Sequence, residues 1–502
     1  MTIPDLFARS AGRVPERPAI IFRDRRVTYR ELQQLAGAAT RLLKRTGIRA
    51  GDTVLLVSPN LPEFGVGYLG ILMAGATVVP VNPLLKTEEV RYILEDSGAA
   101  AMVGVQASFA TLQAARAGLG RGCPILSLDG PAPGEAGDLS LPPESGDLPS
   151  PSLPSRAAED VAVCLYTSGT TGRPKGALLS HRNLIANLES FRAVLPMTQE
   201  DVFLAVLPLF HAYGATVLFL EPLSIGATIV VEPRFVPEAV LRAIAQHRVT
   251  FFGGVPSMYA VLAATPRPAA DFSAWRLCVS GGAPLPVAVA EAFEARYGIP
   301  IYEGYGPTEC APVLTVNPPF GKRKLGSVGP PIPQVELRIV DERGNLLPPG
   351  EVGEIVARGP NVMQGYLHRP VETAEALRDG WYHTGDLGRV DEDGYYYIVD
   401  RKTDLILVGG LNVYPREVEL VLGSHPAVAE AAVIGTPDPV RGEAPKAFVI
   451  LRNGQDVSTL DLLQWCRQRL ANYKVPRSIA VVPDLPRTVT GKILKTEIRS
   501  MV

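Results

Sequence analysis

Leu165 to His181 of this 502-residue chain reads LYTSGTTGRPKGALLSH. Thr167, Ser168, Gly169, Thr170, Thr171 and Gly172 run without interruption, and Lys175 follows after Arg173 and Pro174. Hydroxyls and closely approachable backbone N–H groups in succession form an anion-binding nest. A lysine ammonium beside them supplies a point charge for the outer phosphates of a nucleotide. The intervening Arg-Pro excludes a Walker A loop, which needs Gly-Lys followed by Ser or Thr. Composition alone would also suit a solvated surface loop, so the stretch has to be weighed with others.

Three other stretches bear on it. In IYEGYGPTEC, Ile301 to Cys310, Gly304 and Gly306 flank Tyr305 and leave its ring open to stacking on a purine. Thr308 and Glu309 then present a hydroxyl and a carboxylate side by side, a donor set that suits Mg²⁺ completed by substrate phosphates. In GWYHTGDLGRV, Asp386 follows a tight Thr-Gly turn, where a fixed carboxylate can accept both hydroxyls of a ribose. Arg401 lies fifteen residues later, and in PRTVTGKILK Lys492 follows Gly491. Taken singly, Glu309 and Lys492 would be ordinary solvated side chains.

Bulk composition sets the frame. A chain of 502 residues exceeds what one core organises, so two or more domains are expected. The 49 basic and 51 acidic residues give a net charge of −2, which argues against a nucleic-acid binder. Cys123, Cys164, Cys278, Cys310 and Cys466 are scattered without CxxC spacing, which points to a reducing, cytoplasmic setting. MTIPDLFARSAGRVPERPAI has no apolar run of signal-peptide length, so export is not expected. Phe64 to Leu85 carries no charge over 22 residues, long enough to span a bilayer. Four glycines, Pro80, Asn82 and Pro83 break it, and it reads better as a buried helix ending near Gly75 followed by a buried strand, ATVVPVN.

The elements that must carry these residues alternate. TYRELQQLAGAATRLLKRTG opens with Thr28 and Glu31 at capping-box spacing and stops at Gly47. Strand DTVLLVS, strand AMVGV after helix EEVRYILEDSG, strand ATIVVE, helix VPEAVLRAIAQHR and strand VTFFGG follow, an α/β pattern with mostly parallel sheets. Residues 130–158 hold seven prolines and read as a surface loop leading to the nest. After about residue 318 the texture changes to short strands with Gly-Asn and Asp-Gly turns, suited to antiparallel pairing. From Arg401 a compact α+β pattern begins. It has a helix entered through Pro415 and another capped by Ser458 with Asp461. A small domain of about 100 residues is credible there, with its boundary at Asp400.

Together the four stretches resemble the adenylate-forming, AMP-binding enzymes: acyl-CoA synthetases, adenylation domains and firefly-type luciferases. The likeness covers nearly the whole chain and keeps the motifs in order. It implies a large N-terminal domain (1–399) of two αβ-layered subdomains plus a small β-barrel, and a smaller mobile α+β domain (400–502) hinged at Asp400. It also implies activation of a carboxylate by ATP to an acyl-adenylate, with release of pyrophosphate and transfer of the acyl group to the thiol of CoA. On that resemblance Lys175 and residues 167–172 hold the departing pyrophosphate, Glu309 holds Mg²⁺, and Thr308 orients the α-phosphate. Gly282, Ala283, Pro284, Glu303, Gly304, Tyr305 and Gly306 frame the adenine, Asp386 and Arg401 serve the nucleotide, and Lys492 reaches across from the small domain. Gly409 and Gly410 leave room for the pantetheine arm of CoA.

His211 in PLFHAYG aligns with a position at the mouth of the family's carboxylate pocket, with Tyr213 and Gly214 beside it; a hydrogen-bonded core histidine is the plainer reading. The apolar surroundings favour an acyl chain or ring, and the stretch from Lys324 to Glu419 looks most like bacterial fatty-acyl-CoA ligases, so a fatty acid is the expected substrate. Malonate- and aryl-acid–CoA ligases, a stand-alone enzyme loading a carrier protein, and a degenerate nucleotide-binding scaffold stay open. The expected partners are a carboxylic acid, ATP and CoA, with no nucleic acid, no transmembrane segment and room for a homodimer.

Overall fold

The computed structural model describes residues 1–120, 122–134, 137–141, 155–167, 173–488 and 491–501. The chain divides into two compact units, Met1–Glu336 with Ala357–Tyr382 and Leu337–Val356 with His383–Val502.

In the first unit, valine-, isoleucine- and phenylalanine-rich runs pair into two eight-stranded sheets. One sheet runs Thr315–Val316, Ile301–Tyr305, Leu277–Ser280, Phe251–Gly254, Val202–Ala205, Thr228–Val231, Pro18–Phe22 and Arg25–Thr28. The strands from Ile301–Tyr305 across to Pro18–Phe22 are parallel. Helices Pro237–Gln246, Pro256–Ala264 and Val287–Tyr297 contribute Val240, Tyr259, Leu262 and Phe293 to a core shared with Phe252 and Cys278 of the sheet. Full burial of a ring such as Phe293 contributes roughly 2–3 kcal/mol.

The other sheet runs Gly365–Tyr366, Lys175–Ser180, Val161–Thr167, Thr77–Val81, Thr53–Val57, Ala101–Gly104, Ile125–Ser127 and Leu139–Ser140. Val161–Thr167 and Lys175–Ser180 are antiparallel, with Thr167 opposite Lys175. Gly365–Tyr366 adds to the far side, with Tyr366 opposite Ala177. This register puts Tyr366 beside the start of the lysine-bearing strand.

The uncharged stretch folds as expected, into helix Pro62–Met73 and strand Thr77–Val81. A Cβ on Gly70 would stand 2.7 Å from that of Ala39, and Thr40 Oγ1 donates to the Gly70 carbonyl at 2.9 Å. Gly70 therefore serves close packing on helix Tyr29–Arg45, itself started by the Thr28–Glu31 capping box, while Gly65 and Gly67 make room for Ile20 and Phe219 and for Leu56. No described helix is long and apolar enough to cross a membrane. All five cysteines are free and buried.

In the second unit, Asp386–Val390 of strand Trp381–Val390 pairs antiparallel with strand Tyr396–Arg401. The Asp391 carboxylate accepts the N–H groups of Asp393 and Tyr395 at the turn between them. A five-stranded sheet follows, in which Val428–Asp438 and Gly442–Leu451 are antiparallel and Ser478–Val481 lies parallel to the latter. Helix Pro415–Gly423 begins at the expected proline, and helix Thr459–Arg467 is capped by Ser458, which accepts from Asp461 N. Val418, Leu422, Val433, Val449 and Leu462 close its core.

Candidate active site

Lys175 heads its strand directly opposite Thr167, so the two ends of the nest segment are fixed by sheet pairing. Ser168, Gly169, Thr170, Thr171 and Gly172 lie outside the described residues. The Lys175 ammonium sits 5.7 Å from the centre of the Tyr366 ring. The hydroxyl of the same ring donates to Glu309 Oε1 at 2.8 Å. Two residues 134 positions apart are thus joined through one phenol. Burial, with the Glu309 charge adding to it, pushes the Tyr366 phenol up, so it stays a protonated donor. Burial acts in the same direction on Tyr382, again reinforced by Glu309 and then Tyr366.

Glu309 occupies a single 3-10 turn, Thr308–Cys310, and its side chain is buried. The turn is held from outside. Asn187 Nδ2 donates to the carbonyls of Cys310 and Val313, at 3.3 and 2.7 Å, and Asn361 Nδ2 reaches the same two oxygens at 2.8 and 3.1 Å. Met363 N donates to the Glu309 carbonyl at 2.8 Å. Gly306 is required where the chain doubles back, because a Cβ there would stand 1.9 Å from the Pro312 carbonyl oxygen. Gly306→Ala is therefore expected to lower the thermal midpoint and adenylate formation together, at a cost of about 2–3 kcal/mol. Thermal denaturation and pyrophosphate release check this, and a variant as stable and active as the parent would show that the turn does not depend on that approach.

Strand Leu277–Ser280 pairs in parallel with Ile301–Tyr305, Ser280 opposite Glu303, so Gly282, Ala283 and Pro284 emerge beside Glu303, Gly304, Tyr305 and Gly306 at the carboxyl ends of the strands. That is where open α/β sheets bind ligands. Gly282 takes a φ of +79°, which favours glycine. The buried Glu303 carboxylate accepts the N–H of Leu285 at 2.8 Å and pins this loop.

His211 precedes the short helix Ala212–Ala215 and its Nδ1 accepts from Tyr213 N at 3.4 Å. The Tyr213 hydroxyl donates to the Val279 carbonyl at 2.9 Å. Its ring leaves no room for side chains on the strand tips. A Cβ on Gly281 would lie 3.2 Å from Tyr213 Cε1, and one on Gly253 3.1 Å from Tyr213 Oη and 2.9 Å from Leu218 Cδ2. Tyr213 and the π-helical turn Thr216–Leu220 thus press against the glycine tips of two adjacent strands. Gly214 is dictated by packing, since a Cβ would meet the Pro208 carbonyl oxygen at 2.2 Å.

In the second unit, Asp386 and Arg401 are register partners, and Arg401 Nε lies 3.1 Å from Asp386 Oδ1. Lys492 is exposed to solvent yet crowded by protein. That crowding, with the Arg401 cation, lowers its ammonium to about 8 against the pull of Asp386 and Asp404. Asp400 Oδ1 accepts from Arg401 N and Oδ2 from Arg416 N, both at 2.8 Å. The carboxylate therefore anchors the positive end of helix Pro415–Gly423. Gly409 and Gly410 link strands Ile406–Val408 and Leu411–Val413 with φ values of +59° and +82°, so this two-residue hairpin needs glycine in its own right.

Among the described residues no three His, Cys, Asp or Glu gather as a metal cage. A lone, oriented carboxylate such as Glu309 fits Mg²⁺ only when phosphate oxygens complete the shell. The sequence alone does not single out Tyr366, Tyr382, Asn187 or Asn361; they come from distant segments and carry no motif spacing.

The model of the AMP-binding enzyme family matches residues 7–367, and that of the AMP-binding enzyme C-terminal domain matches 417–492. A feruloyl-CoA synthase of Amycolatopsis sp. is 41% identical over 98% of this chain and 97% of its own. A long-chain-fatty-acid–CoA ligase of Bacillus subtilis is 37% identical over 98% of this chain and 93% of its own. The crystal structure of ATP-bound MatB from Rhodopseudomonas palustris superposes with a TM-score of 0.92 at 34% identity, covering 100% of this chain and 99% of that one. The chain belongs to the AMP-binding enzyme family and is an AMP-forming acyl-CoA ligase that uses ATP and CoA.

Proposed function

We propose that this ligase activates a compact apolar acid, with a ring-bearing (aryl) acid preferred to a long chain. The observation that carries this reading is Tyr213, wedged with Leu218 against the glycine tips at Gly253 and Gly281 and tied to the Val279 carbonyl. If the acid enters past His211, as the family likeness implies, the Tyr213 ring beside it offers an aromatic face on which flat rings pack well. The feruloyl-CoA synthase likeness supports the same reading. A fatty acid is the second reading, favoured by the apolar run VLPLFHAYGATVLFLEPL and by the Bacillus subtilis relative.

The chemistry follows from the side chains. The acid is already an anion, so one carboxylate oxygen attacks the α-phosphorus of ATP without a general base, and pyrophosphate leaves. Lys175 and the nest hold the departing phosphates, Thr308 orients the α-phosphate, and Asp386 with Arg401 receives the ribose. Glu309, positioned by Tyr366, would hold Mg²⁺, which when bound neutralises phosphate charge. Lys492 offers a cation to the carboxylate and the α-phosphate. Rotation of residues 400–502 about Asp400 then exchanges Lys492 for the Gly409–Gly410 hairpin. The CoA thiolate attacks the acyl carbon and AMP departs. A cytoplasmic location suits the free cysteines.

Pyrophosphate release across acids of graded length and ring content tests the substrate reading. Aryl acids are expected to be turned over fastest, and Tyr213→Ala to shift preference toward longer chains by about tenfold, the scale of one or two hydrophobic groups. Long chains preferred by the parent enzyme would overturn the aryl reading and leave the fatty acid.

A further inference from the structure

The helix Thr87–Asp96 ends on an acid. A carboxylate in a last turn faces the negative end of the helix dipole and costs about 0.3–1 kcal/mol. Asp96 therefore does not serve its own helix, and its partners account for it. Its Oδ2 accepts from the Tyr166 hydroxyl at 2.8 Å, and its Oδ1 meets Arg369 Nη2 at 2.8 Å with the side chain only 11% exposed. One turn earlier, the Tyr92 hydroxyl donates to the Pro174 carbonyl at 2.9 Å, and the Arg173 guanidinium lies 5.3 Å from the centre of the Tyr92 ring. Arg369 also reaches Tyr92 Oη at 3.4 Å, which closes the circuit.

Each partner sits at an edge of the phosphate segment. Tyr166 immediately precedes Thr167, Pro174 immediately precedes Lys175, and Arg369 lies three residues beyond Tyr366, whose ring carries the Lys175 ammonium. The Lys175 ammonium is 3.9 Å from Glu372 Oε1, and Arg369 Nε is 4.0 Å from the same oxygen. A displaced Arg369 would change what Lys175 has to compete with.

We propose that Tyr92, Asp96 and Arg369 form a clamp that sets the angle at which the sheet-paired Thr167 and Lys175 face an incoming triphosphate. They are positioning residues, and the proposal rests on Lys175 acting on the outer phosphates. Charge-assisted bonds and a bond to a backbone carbonyl hold both edges, so loss of either lets the paired edges tilt while the Thr167–Lys175 pairing persists.

The test compares ATP and AMP binding by calorimetry in the full-length protein, since only ATP carries the phosphates that Lys175 would meet. Tyr92→Phe keeps the ring beneath Arg173 and removes the bond to the Pro174 carbonyl together with the longer one from Arg369; it is expected to raise the Kd for ATP about fivefold. Asp96→Asn, which loses the charge toward Arg369, is expected to raise it about tenfold. The Kd for AMP should stay at the parent value in both. The double variant should fall short of the product of the two, because both act on one mouth. Equal weakening of ATP and AMP, or unchanged ATP binding in folded Tyr92→Phe, would overturn the clamp. Lys175→Met separates the premise: if it leaves ATP binding unchanged, Lys175 has no part in phosphate binding and the premise fails first. If Asp96→Asn does not fold, Tyr92→Phe decides the matter alone.

Discussion

Lys492→Ala is expected to slow adenylate formation a hundredfold or more, about 3 kcal/mol of transition-state stabilisation, while supplied acyl-adenylate is still converted to thioester. The expectation rests on what a cation does in this reaction. As the carboxylate oxygen approaches phosphorus, two anionic groups are brought together, and a fixed positive charge opposes their repulsion throughout. Nothing comparable is needed when a thiolate attacks an acyl carbon and a nucleotide leaves. The state of the group gives a second readout. With the ammonium lowered to about 8, the cation is held below that pH and lost above it. Adenylate formation should therefore decline as pH rises through about 8, and the thiol step should not share that limb. Single-turnover rates for the two half-reactions, measured across that range, check both statements. Equal loss of both half-reactions in Lys492→Ala would refute the division of labour.

Glu309→Gln should be nearly as damaging to the first half-reaction, at about a hundredfold, because the amide keeps the shape and an acceptor for Tyr366 but cannot neutralise a cation. The Mg²⁺ concentration for half-maximal pyrophosphate release should rise as well. Tyr366→Phe separates orientation from charge. It removes the 2.8 Å bond to Glu309 Oε1 yet keeps the ring below Lys175, so a smaller loss of about tenfold is expected. Direct titration of nucleotide-loaded protein with Mn²⁺, followed by electron paramagnetic resonance, reports metal affinity without turnover. Undiminished Mn²⁺ affinity in Glu309→Gln would remove this carboxylate from the metal's shell.

Local signals in the sequence carried much of the fold. Thr28 with Glu31, Pro415, and Ser458 with Asp461 start helices at the positions their types and spacing predict, because capping is settled within four residues of chain. The uncharged stretch divides into helix and strand at Gly75, which takes a positive φ, whereas Gly65, Gly67 and Gly70 lie inside the helix and make room for neighbouring side chains. What stayed hidden is long-range. Tyr366 meets Glu309 across 57 residues, and Asn361 reaches Cys310 across 51. No spacing rule links such positions; only the register of a two-residue strand against Lys175–Ser180 does. Gly409 and Gly410 show the converse: read for the room they leave, they also satisfy the positive φ of their own turn.

The most direct measurement follows an oxygen atom. With the best acid of the panel labelled with ¹⁸O in its carboxylate, turnover with ATP and CoA should place one labelled oxygen in the phosphate of AMP and none in pyrophosphate. That transfer occurs only if the acid's own oxygen becomes bonded to the α-phosphorus. Label in inorganic phosphate or pyrophosphate, or AMP free of label, would contradict attack at that atom and with it the roles given to Lys175, Glu309 and Lys492.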